Sequence, residues 1–149
     1  HTCAVQTNGA VRCWGLDSDG QVAPPDLGRV TAVAAGGFHT CALTTARDVR
    51  CWGSNDFGQA AVPPGLVDVA AMAAGGYHTC AVTIPLPWMA GGPVRCWGWN
   101  ANGAVAVPGD LEVALAVAAG RYHTCAITPT TGGCVCARTT FFCVKTIKH

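Results

Sequence analysis

The sequence predicts an all-β array of short stacked repeats, and three observations carry that prediction. Pieces of the stretch Ala34 to Gly53, AAGGFHTCALTTARDVRCWG, recur along the chain. Cysteines flank an apolar hairpin in each copy, and short runs of alanine and β-branched residues are punctuated by Gly, Pro and Asn. Self-similarity at this period indicates supersecondary units too small to bury their own apolar faces, so that neighbouring copies make the core together.

The copies are read from two anchors. His-Thr-Cys opens the chain at His1 and returns at His39, His78 and His123, in steps of 38, 39 and 45 residues. Arg-Cys-Trp-Gly, each time after a valine, stands at Arg12–Gly15, Arg50–Gly53 and Arg95–Gly98. The longest step contains an insertion, Pro85 to Pro93. The predicted units are residues 1–29, 30–68, 69–112 and 113–136, with a C-terminal tail over 137–149.

Within one unit, Val30 to Ala35 reads as a first strand and Gly36-Gly37 as a bend. His39 to Leu43 is the second strand and Val49 to Trp52 the third. A turn, Gly53 to Gly58, and a proline-bearing connector, Val62 to Leu66, then lead into the next unit. Alanine dominates the first strands, which lets sheets pack closely. Leu111 to Ala119 is read as strand rather than helix, because a glycine ends each such run.

The hairpins set the cysteine pairing. In the first, Thr7-Asn8-Gly9 suits a three-residue loop with Gly9 in the left-handed position, placing Cys3 opposite Cys13 and Val5 opposite Val11. The same arithmetic sets Leu43 against Val49 and Val82 against Val94. Cross-strand disulfides Cys3–Cys13, Cys41–Cys51 and Cys80–Cys96 follow. The fourth copy departs: no Trp-Gly follows its hairpin, and Cys134, Cys136 and Cys143 crowd its end. Cys125–Cys136 with Cys134–Cys143 is the expected pairing, and Cys125–Cys134 with Cys136–Cys143 the alternative.

Ten cysteines in 149 residues indicate an oxidising compartment, hence a secreted or cell-surface location. With 50% hydrophobic and 11% charged residues the chain is too apolar for disorder. Nine scattered Lys and Arg leave no electrostatic footprint for nucleic acid. No apolar run is long enough for membrane insertion.

The pattern V-x-x-[VM]-A-A-G-G-[FY]-H-T-C-A-[LV]-T, followed by V-R-C-W-G-x-N-x-x-G-Q, resembles the short, secreted form of the regulator-of-chromosome-condensation repeat, which also builds a bacterial β-lactamase inhibitor. The likeness covers roughly residues 1–136. It implies a β-propeller in which each repeat supplies one blade, here about three and a half three-stranded blades in a partial or open ring.

Histidine two residues before cysteine suggests zinc, yet each cysteine already has a hairpin partner and no copy gathers four ligands. The histidines are read as structural, bonded to neighbouring backbone. Asp17-Ser18-Asp19-Gly20 lacks the closing glutamate of a calcium loop and is read as a turn. No metal or other cofactor is expected. Trp14, Trp52 and Trp97 recur and are read as packing between blades. Trp88 and Trp99 do not recur, and with Met89 in the insertion and Phe141 and Phe142 in the tail they are the candidate partner contacts.

Two serines, one glutamate and no nucleophile-base grouping argue against an enzyme. The disulfides disfavour nucleotide exchange as in the family's nuclear founder member. The first reading of function is a non-catalytic structural module of a larger extracellular, even filamentous, assembly, with other chains or further repeats as partners. The alternative is an inhibitor-like recognition module binding a protein or glycan through its loops. No Asn-x-Ser/Thr sequon exists, so glycosylation of this chain would be O-linked, at the proline doublets or Thr128 to Thr131.

Overall fold

The computed structural model describes residues 1–84, 86 and 88–129, together with the backbone of 134–136. The described residues form eleven strands in four antiparallel sheets. The first sheet pairs β1 (Thr2–Val5) with β2 (Val11–Trp14). The second joins β3 (Val30–Ala35), β4 (His39–Thr44) and β5 (Val49–Gly53) in that order. The third joins β6 (Val69–Ala74), β7 (His78–Thr83) and β8 (Val94–Gly98). In the fourth, β10 (Thr124–Ile127) lies between β9 (Ala116–Ala119) and β11 (Cys134–Cys136). We number these sheets as blades one to four.

Hairpin register agrees with the sequence arithmetic. Cys3 faces Cys13, Cys41 faces Cys51 and Cys80 faces Cys96, with Val5 on Val11, Leu43 on Val49 and Val82 on Val94. All three cysteine pairs are disulfide-bonded. The left-handed residue of the first loop is Gly9 at φ 85°, as the loop type requires. In the second blade Arg47 occupies that position at φ 63°, where its Cβ is sterically disfavoured. In the fourth, Cys136 stands opposite Cys125 and Cys134 opposite Ile127. The pairing of Cys134, Cys136 and Cys143, and the residues Phe141 and Phe142, lie outside the described residues. The expected strand from Leu111 contracts to Ala116–Ala119, with Ala114 ahead of it in an isolated bridge to Gly92.

The core lies between blades rather than within them. One cluster brings Cys41, Leu43 and Val49 of the second blade against Leu66, Val69, Ala81 and Trp97 of the connector and third blade. A second sets Val82 against Ala114 and Ala126. A three-stranded sheet has one face too many to bury alone, so its hydrophobic stabilisation depends on the neighbour. Backbone bonds stitch each hairpin tip to the next blade at or just before its first strand: Val30 N–H donates to Gly9 O (2.9 Å), Val69 N–H to Arg47 O (3.2 Å) and Ala114 N–H to Gly92 O (2.9 Å). The insertion in the third blade therefore keeps the stitch, with Gly92 standing where Gly9 and Arg47 stand.

Candidate functional site

The recurring His-Thr pair builds the joint between blades. Thr79 Oγ1 donates to the Gln59 carbonyl at 2.8 Å. Its single proton is thereby committed, so at 2.9 Å it accepts from His39 Nε2. His1 to Thr40 to Gln21 O repeats this relay at 2.8 Å in both steps, as does His78 to Thr124 to Ala104 O. Tryptophan closes the joint: Trp52 Nε1 donates to Gln21 O and Trp97 Nε1 to Gln59 O, each at 3.0 Å. Each joint thus takes its histidine and turn carbonyl from one blade and its threonine, with tryptophan where present, from the next.

The expectation of histidines bonded to neighbouring backbone is corrected here, since the ring nitrogen donates to a threonine hydroxyl of the following blade. This fixes the Nε2–H tautomer and leaves Nδ1 of His39 and His78 buried without a hydrogen-bond partner. Burial, and secondarily the neighbouring His78, lowers the His39 pKa to about 4. Burial followed by His123 lowers that of His78. Gly36, Gly75 and Gly120 are required beside these rings. A Cβ at Gly36 would run into the His39 ring and come within 2.7 Å of Gly75 O, and one at Gly75 within 2.6 Å of Gly120 O. The turn ahead of each joint is locally made: Gln59 Oε1 accepts from Phe57 N–H at 2.9 Å, and Asn55 Oδ1 from Ala60 N–H at 2.9 Å. Asp17 and Asn100 accept in the same way from Val22 and Val105. The Asp17 segment is thus a turn cap.

In blades two, three and four the relay takes its histidine from the preceding blade. Thr2 is exposed, whereas Thr40 and Thr79 are fully buried. Trp14 is 55% exposed against 7% for Trp97, a departure from the packing expected of all three recurring tryptophans. Trp52 and Trp97 each donate to a turn carbonyl of the preceding blade, and Trp14 makes no such bond among the described residues.

The non-recurring tryptophans separate. Trp88, on the insertion, is 78% exposed, with exposed Leu86 and half-buried Met89 nearby. Trp99 is instead half-buried in an aromatic cluster. Phe38, Tyr77 and Tyr122, equivalent residues of three copies, stack successively at 6.0 and 6.3 Å. Phe57 meets Tyr77 edge-on at 5.5 Å, and Trp99 lies 5.4 Å from Tyr122. Among the described residues no three His, Cys, Asp or Glu side chains gather where they could hold a metal ion. Gln21, Gln59 and the relay threonines were not singled out as a joint from the sequence, although the threonine recurs in every His-Thr-Cys and the glutamine in two copies of three, with Ala104 in the third.

The family model for the Regulator of chromosome condensation (RCC1) repeat matches residues 1–21 and 30–59. No curated protein matches the chain. Among solved structures, the CRINKLY WD40 ectodomain of the Arabidopsis thaliana receptor kinase ACR4 is 28% identical, covering 90% of this chain and 46% of its own, with a TM-score of 0.71. The entire ectodomain of the Physcomitrella patens receptor kinase CR4 is 26% identical, covering 91% of this chain and 37% of that one, with a TM-score of 0.68. Yeast RCC1 (Prp20), solved with Kap60, shares the fold at 20% identity and a TM-score of 0.65, covering 86% of this chain and 39% of its own. This chain spans less than half the length of each. Together with the blade geometry, the matches show a propeller-type repeat array similar, over residues 1–21 and 30–59, to RCC1 repeats.

Proposed function

We propose that the chain is a non-catalytic, extracellular structural and protein-interaction module, a repeat unit of a larger secreted or cell-surface assembly. The observation that carries this reading is the recurring joint, in which the threonine and tryptophan of one blade are closed by a histidine donor and a turn carbonyl of its neighbour, so that a blade is completed by another of the same chemistry, in this chain or in a partner. The disulfides and the two receptor ectodomains among the structural neighbours support the extracellular setting.

The test is the native, non-reducing mass of the purified protein, by mass photometry or native mass spectrometry, for wild type and Trp14→Ala. The expected result is an assembly, or a longer chain whose sheets continue past β1, weakened by the substitution. A stable 15.2 kDa monomer unaffected by Trp14→Ala would sink the proposal.

A second reading, recognition of a protein or glycan through the insertion loop, is favoured by one observation, the 78% exposure of Trp88. Trp88→Ala should leave the melting temperature unchanged while abolishing partner capture. Unchanged capture would remove the loop from consideration.

A further inference from the structure

The first strands β3, β6 and β9 end side by side in an open groove of about 460 Å³ with glycine walls, flanked by Phe38, Tyr77 and Arg121. Two of the three copies place glycine at the second bend position, Gly37 and Gly76, and the fold needs nothing larger there. A Cβ at Gly37 would come within 2.6 Å of Gly76 O. The third copy places Arg121 at this position, and Gly76 makes room for its stem, because a Cβ on Gly76 would meet Arg121 Cγ at 2.9 Å.

Arg121 is the residue that the repeat leaves unexplained. Its guanidinium stands 5.1 Å from the Tyr122 ring centroid, in cation–π contact. A hydrogen bond with Tyr77, then the proximity of Tyr122 and Tyr77, raise its pKa above the usual arginine value. The charge is exposed, and no carboxylate is among the described residues that line the groove. An arginine held against two tyrosines, with no carboxylate beside it among those residues, is complementary to an anion from outside.

The aromatic geometry narrows the anion's source. Tyr77 lies between Phe38 and Tyr122 in a stacked series, and Tyr122 carries the guanidinium, so the two tyrosines spend their faces on Phe38, on each other and on Arg121. A sugar needs an open aromatic face on which to lie. An extended peptide needs instead a narrow floor without side chains and a cation for its carboxylate, and glycine walls beside Arg121 supply both. Tyr, Trp and Arg together are also the composition of energetic hot spots in protein interfaces.

We propose that this groove binds an extended acidic peptide segment of a protein partner, with a glutamate or aspartate side chain paired to Arg121. The experiment compares two pools of acetylated, amidated heptapeptides with randomised flanks, one with glutamate at the centre and one with glutamine. Retention on the immobilised protein is read by mass spectrometry in low and in 0.5 M salt, about a threefold change in Debye length from 50 mM. The expected result is at least tenfold greater retention of the glutamate pool, lost at high salt. Arg121→Gly, which installs the residue of the other copies and should keep the wild-type circular dichroism, is expected to abolish that preference. Equal retention of both pools, no retention of either, or an unchanged preference in Arg121→Gly would each overturn the proposal. Displacement of nothing but tetragalacturonate, in a parallel binding assay, would overturn the peptide in favour of an acidic sugar.

Discussion

A buried histidine that is neutral by construction sets the chemistry of each joint at the scale of the residue. In the folded chain His39 titrates near pH 4 instead of 6.5, so as pH falls the unfolded chain takes up the proton first. Its contribution is complete above about pH 6.5 and is lost progressively toward pH 4. The shift corresponds to roughly 3 kcal/mol at neutral pH. Denaturant unfolding at pH 7.5, 5.5 and 4.5 should show stability declining through that window, and a flat profile would contradict the neutral Nε2–H tautomer. Thr79→Val leaves the His39 donor unsatisfied in a buried site and is expected to cost about 1–3 kcal/mol. Thr2→Val, at the equivalent but exposed position, should change the stability of the chain by less than about 0.5 kcal/mol. Equal effects at the two positions would refute the relay. Arg47→Gly relieves the left-handed strain at φ 63° and should stabilise by about 0.5–1 kcal/mol, read as a higher denaturation midpoint.

The disulfide-closed hairpin is the unit at the scale of the element, and the next blade's first strand is what it binds. Cys41 and Cys51 are ten apart, so the cross-link removes about 2–3 kcal/mol of chain entropy from the unfolded state. Replacing both by alanine should lower stability by about that amount or more, since Cys41 also belongs to the inter-blade core. Calorimetry of the double variant against wild type checks this. The hairpins were legible because Cys-x-Val or Cys-x-Leu on one strand and Val-x-Cys on the other allow one register with both pairs on one face. The bond from tip to next strand was not legible, because it joins backbone atoms of residues as different as Gly9, Arg47 and Gly92.

Stability is distributed along a line at the scale of the whole molecule, since each blade touches only its neighbours. The middle strands β4 and β7 are buried at five of six positions, whereas β1 and β2 alternate between exposed and half-buried. Amide hydrogen exchange should therefore be slowest in β4 and β7 and much faster in β1 and β2 of the isolated chain. Uniform protection across the four sheets would count against a chain of separable joints.

The sequence by itself determined the repeat, the strand order within a blade and the three hairpin disulfides, because these are local consequences of period, alternation and loop length. It also showed that the fourth copy lacks tryptophan. Only the tertiary structure decided that His39 serves Thr79, that Gln59 offers a carbonyl to both Thr79 and Trp97, and that Trp99 packs among aromatics while Trp88 stays exposed. Those relations join residues about 20 to 40 positions apart, across a joint whose geometry is set by how two sheets pack. Periodicity shows that such residues recur. Which atoms meet depends on the angle and separation of neighbouring blades, and no spacing along a single copy encodes that.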